Sequence, residues 1–175
     1  MSSFKKISVP LTAAGITAMC VEIERYQKWL TERIPIFVKE LAEVGVEVAD
    51  LKFHYAVYDG ENDVAVTLDD RDPFCKAVVA VGKSVLFIEF GTGVQTWPDN
   101  HPEASKLGME RGSYGKGNGQ HKAWVYKGEP GSMGLPLGSD KVLTYGNPAN
   151  MSMYQAKQAL CEQFESIARR VFKYD

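Results

Sequence analysis

Glu89 is the one carboxylate that interrupts an apolar run in this chain, and Phe90, Gly91, Thr92 and Gly93 follow it directly. A catalytic acid would first be sought here. General acid–base work needs a second titratable group within reach, and the flanking sequence supplies none. A buried carboxylate must still be satisfied, so Glu89 is expected to have an ionic or hydrogen-bonded partner at a loop root. Gly112, Gly115, Gly117 and Gly119 around Lys116 suggest a phosphate cradle, yet no Gly-Lys-Ser/Thr follows and no helix begins there to offer its amides. His54, His101 and His121 lack metal-ligand spacing, and Cys20, Cys75 and Cys161 stand alone. Asp69, Asp70 and Asp72 miss the calcium-loop register and read as a polar hairpin tip. No Gly-x-Ser-x-Gly elbow occurs, and Cys75 and Cys161 read as small core residues. The expectation is a chain with no catalytic residue, metal or cofactor, one that is not an enzyme.

The elements that would hold these residues follow from periodicity. Thr12 can cap a helix, and Ile16, Met19, Cys20, Ile23, Leu30, Ile34, Phe37, Val38, Leu41 and Val44 keep 3, 4 spacing, which predicts one buried face over many turns. Pro35 predicts a kink in that helix, and Val46 to Phe53 can continue it past Gly45. Phe4 to Val9 alternates as a short edge strand. Asp63 to Leu68 reads as a strand, 69–73 as a turn, and Cys75 to Val81 as a β-branched strand. Lys83 to Phe90 reads as a short helix ended by a Gly91 C-cap. Order resumes at Trp124, Val125 and Tyr126, and Val142 to Tyr145 forms the last strand. A terminal helix begins at Met151 or Ser152, its stripe made by Met153, Tyr154, Ala156, Ala159, Leu160, Phe164, Ile167, Ala168 and Val171. The fold class is therefore α+β, a long N-terminal and a C-terminal helix packed on a small, mostly antiparallel sheet.

At 175 residues the chain reads as a single domain, 1–175, with a long loop inserted at 94–122. A loop of that length is functional or disordered. Trp97, Met109, Tyr114, Trp124 and Tyr126 lie in or beside it, more aromatic surface than a solvated loop needs. Its glycines make ordering costly in the absence of a partner. Residues 106–127 carry five basic groups against one acidic, while residues 59–82 carry six acidic against two basic, so copies of the chain could complement one another. The net charge of -2 gives no general attraction to nucleic acid or to anionic membranes. No apolar run is long enough to span a membrane, and unpaired cysteines suit a reducing cytoplasm. A small nucleic-acid-binding module is the alternative, with Lys116, Lys122, Tyr114 and Trp124 as a basic, aromatic strip.

Glu89, Phe90, Gly91, Thr92 and Gly93, then His101 and Pro102, then the glycine run 112–119 leading to Trp124 and Tyr126, then Asn147 to Asn150 and Met153 to Ala156, follow one another in a telling order. In order and spacing they resemble the neck or tail-completion (head–tail joining) family of long-tailed bacteriophages and prophages, from the first helix to the C-terminus. One departure is Ser152, where many relatives have proline. The resemblance implies a structural virion protein that completes the head-proximal end of the tail or joins it to the capsid, without catalysis. It implies self-association in a ring, of six copies on the particle, and contacts with neighbouring neck, tail-terminator or tail-tube proteins. Nucleic acid would meet it only by passing through the ring. The place implied is the host bacterial cytoplasm during assembly and the virion neck afterwards. The expected assembly interface comprises Glu89, Phe90, Gly91, Thr92, Trp97, His101, Tyr114, Lys116, Trp124, Tyr126, Met151, Met153 and Tyr154.

Overall fold

The computed structural model describes residues 8–93, 101–110, 112–115 and 121–173. Thr12 opens the first helix, α1 (Ala13–His54), by accepting a hydrogen bond from the Gly15 amide at 3.1 Å. At 42 residues it is about 63 Å long. The terminal helix α4 (Ser152–Val171) has 20 residues, about 30 Å, and runs back along the C-terminal part of α1. Asn150 bonds the Lys52 carbonyl at one end, and Phe37, tilted, and Trp29, edge-on, pack against Phe172 at the other. Gly45 lets this packing close, since a Cβ there would lie 2.8 Å from Val78 and 3.2 Å from Leu160. The helix continues through Gly45 because the missing side chain is the space those neighbours fill.

Beyond Trp29 no partner element among the described residues follows α1. Ile16 and Ile23 stay 46% and 41% exposed. Phe37, Val38, Leu41 and Val44 of the expected face are half-buried, the buried positions of the C-terminal part being Ala42, Gly45, Ala49 and Phe53. The expected face is therefore partly covered in the C-terminal part and fails for the N-terminal turns. The 3, 4 spacing is present there, but α4 is too short to reach it.

The sheet is split in two. β1 (Ala65–Asp72) and β2 (Cys75–Val81) form an antiparallel hairpin against α1. β3 (Trp124–Lys127), β5 (Lys141–Thr144) and the two-residue β4 (Leu135–Pro136) form an antiparallel sheet in the order β3-β5-β4. Leu135 and Pro136 carry no strand signal in the sequence. β1 runs on through the aspartates expected to turn, with an irregular register between Asp69 and Asp72. Their carboxylates can lie outward, where Asp69 binds Arg71 and Asp72 accepts the Phe74 amide at 2.8 Å. Cys75 and Cys161 are exposed, not core. The edge strand expected at Phe4 lies outside the described residues through Ile7, and Ser8 to Pro10 form no strand.

Asp63 fastens the start of α2 (Val85–Phe90). Its carboxylate accepts the Lys83 and Ser84 amides at 2.8 and 2.9 Å and the Ser84 hydroxyl at 2.6 Å. These bonds, the Ser84 hydroxyl foremost, pull its pKa from 3.8 to about 2. A carboxyl depressed in the folded state stabilises the fold fully above its unfolded pKa, and the contribution disappears as pH falls through the folded pKa. Between pH 3.8 and about 2 the wild-type protein should therefore lose stability that Asp63→Asn never had. Thermal unfolding across that range checks this: the two curves should converge on acidification, and parallel curves would deny Asp63 the role.

Candidate functional site

Three helix ends meet at the segment expected to matter. α2 ends because Gly91 takes φ 79 and ψ 175, a region essentially restricted to glycine. This ending points α2 head-on at the start of α4, and each supplies what the other lacks. The Ile88 and Glu89 carbonyls accept the Asn150 and Met151 amides at 2.9 and 3.1 Å. The Glu89 carboxylate takes the next pair, with Oε2 accepting the Met153 amide at 2.8 Å and Oε1 the Tyr154 amide at 3.0 Å. Glu89 thus acts as the N-cap of a helix that begins 63 residues later, with its charge at the positive end of the helix dipole. Met151 adopts a left-handed φ of 56 so that these amides converge. Asn150 adds the end of α1, its Nδ2 donating to Lys52 O at 2.8 Å and Ser152 Oγ at 2.7 Å.

His101 completes the cluster. Its Nε2 lies 3.0 Å from Glu89 Oε1, and its Nδ1 accepts the Glu103 amide at 3.1 Å. An Nδ1 that accepts leaves the proton on Nε2, so His101 donates to Glu89 as a neutral imidazole. All three groups on the carboxylate are then N–H donors. Phe90 and Tyr154 cover the imidazole at ring distances of 4.5 and 5.3 Å, and the Tyr114 hydroxyl donates to Gly91 O. Beside it the 92–93 and 145–147 segments lie backbone to backbone. Thr92 and Asn147 exchange amide-to-carbonyl bonds of 2.9 and 3.1 Å, and Thr92 Oγ1 accepts from the Asn147 amide and side chain at 2.9 and 3.1 Å.

Of the expected interface residues, Glu89, Phe90, Gly91, Thr92, His101, Tyr114, Met151, Met153 and Tyr154 are brought together. They form a clasp, and three of them cannot touch a partner: Gly91 is buried, and Glu89 and His101 are 4% and 5% exposed. Their assignment as contact residues is corrected to an internal one. Trp124 and Tyr126 lie elsewhere, half-buried on the inward face of β3, with the Tyr126 hydroxyl donating to Asp59 at 2.9 Å. Trp97 and Lys116 lie outside the described residues.

The loop reading is corrected with them. Residues 101–115, where described, fold back on the body through His101 and Tyr114 and hold a short helix, α3 (Ala104–Leu107). The body draws on this loop, because the Glu89 carboxylate takes His101 from it as a partner. Asn147, Asn150 and Ser152, overlooked as individual site residues, tie the clasp together. Their signal is a cluster of short polar side chains around Pro148, just ahead of an amphipathic helix. In chemical terms the centre of the clasp is saturated: every described bond of Glu89 and both ring nitrogens of His101 serve the backbone or each other, while beside them Asn147 Oδ1 is buried without a hydrogen-bond partner. No group of His, Cys, Asp and Glu among the described residues could hold a metal ion, and no described helix is long and apolar enough to cross a membrane. Compared with protein-family models, curated proteins and solved structures, the chain matches none.

Proposed function

We propose that this chain is a structural protein of a tailed phage or prophage particle, acting in the neck to complete the tail or join it to the head. It works by ring assembly and docking, not by catalysis. The observation that carries the reading is the apolar stripe of α1 continuing for several turns past the end of α4, with Ile16 and Ile23 over 40% exposed. A face of that kind marks an interaction site. The clasp supports the same reading, since it anchors the loop segment and the start of α4 to a rigid body. So does the resemblance in the order of motifs from Glu89 to Ala156. The ring would hold six copies on the particle, matched to a symmetric tail, and its neighbours would be tail-terminator or tail-tube proteins. Assembly would take place in the bacterial cytoplasm.

A phage deleted for this chain should make filled heads and tails that fail to join or finish, and expression of the wild-type chain should restore infectious particles. Electron microscopy of the lysates reads both. Normal particles from the deletion phage would end the proposal.

A further inference from the structure

We infer that the N-terminal end of α1 in one copy docks on the outer face of the β3-β5-β4 sheet in the next. The inference rests on the ring-assembly reading and names the two surfaces that would meet. In antiparallel sheets directly paired residues point to the same side. Trp124 with Thr144 and Tyr126 with Val142 face inward, so Val125, Leu143 and Leu135, paired in one row across the sheet, face out. Val125 and Leu135 are about half exposed, which makes this outer face apolar. Below the row Lys127 stands directly opposite Lys141 on the same side. Like charges so placed are unfavourable, and the Lys127 contact to Asp140 at 3.9 Å is an exposed one. The sheet face thus calls for an apolar ridge with an acidic border.

The α1 end has that form. Ile16, Met19 and Ile23 make a ridge at 3, 4 spacing. Glu22 borders it, in an exposed contact with Arg25 at 3.6 Å like that of Lys127 with Asp140, while Lys28 falls on the far side of the helix. Dimensions agree as well: Ile16 to Ile23 spans about 10 Å along the helix, and three strands span about 10 Å from first to third. A symmetric alternative, two α1 ends paired antiparallel about Ile23, would bring the two Glu22 carboxylates to one contact and leave both sheet faces bare. Tip to sheet covers both surfaces and pairs opposite charges. It is also head-to-tail, the kind of contact that closes into a ring.

Sedimentation of wild-type protein should show mass rising with concentration. Ile23→Asp and Leu135→Asp, with unchanged circular dichroism, should each remain monomeric at the same concentrations. An equimolar mixture of the two should stop at the dimer, because only the intact tip of one fits the intact sheet of the other. Cys20 offers a second route with a milder change. In a Cys75→Ser, Cys161→Ser background, Leu135→Cys should give a ladder of bismaleimide-linked species, and the same protein without Leu135→Cys should give none. Linked dimers through Cys20 alone, a monomeric wild type at every concentration, or a Leu135→Asp variant that assembles normally would each overturn the contact. Failure of the neck role reads differently: wild-type chain would not rescue the deletion phage, whatever the variants do in solution.

Discussion

Glu89→Ala should lower the stability of the folded chain by about 3 kcal/mol or more, because it removes one partner from a buried, charge-assisted network. Three N–H groups lose their acceptor together: the Met153 and Tyr154 amides and His101 Nε2. Glu89→Gln tests the geometry more sharply. An amide keeps the shape but presents one oxygen and one NH2 to a set made only of donors. With its oxygen toward His101 and Tyr154, its nitrogen meets the Met153 N–H. Flipped, it meets the Tyr154 N–H, and His101 can accept at Nε2 only by turning an Nδ1–H against the Glu103 amide. Either way a donor faces a donor, at a cost of about 1–3 kcal/mol. Equilibrium urea unfolding measures both variants, and a Glu89→Gln protein as stable as wild type would mean that the acceptor-only reading of this carboxylate is wrong.

That arithmetic could not be done from sequence, although its central residue could be found there. Glu89 stands out because it breaks an apolar run, and the end of α2 at Gly91 follows from local pattern alone. Short-range signals of this kind also located β2 and the start of α4. Glu89's partners are a histidine in a loop without periodicity and two amides more than 60 residues away, which leave no local trace. The N-terminal turns of α1 failed in the opposite way. Their spacing is a sound amphipathic signal, but a pattern records which side would be buried and not whether anything is there to bury it. Asp69 to Asp72 misled for a third reason: turn-forming side chains on the outward side of a hairpin are tolerated in a strand, since water and Arg71 can satisfy them.

The second large effect is expected at Gly91, where conformation and space act together. With φ 79 and ψ 175 the residue occupies backbone territory that costs any L side chain on the order of 1–3 kcal/mol. A Cβ would also lie 2.7 Å from Ala149 N, 2.8 Å from Asn147 O and 2.9 Å from Pro148 C. All three are backbone atoms, so relief cannot come from a rotating side chain. The 147–149 segment would have to withdraw, parting Thr92 from Asn147 and disturbing the Asn150 and Met151 amides that bind the end of α2. Gly91→Ala should therefore cost about 3 kcal/mol, and Gly91→Val more. Gly108 supplies the control, having a left-handed φ of 68 with no atom within 4 Å of its Cβ position. Gly108→Ala should cost only the conformational part, about 1–2 kcal/mol. Thermal melts of the three variants separate the contributions, because only the Gly91 pair combines positive φ with close approach. If Gly91→Ala and Gly108→Ala melted together, the backbone of 147–149 would not be held against Gly91, and the clasp would be looser than these distances require.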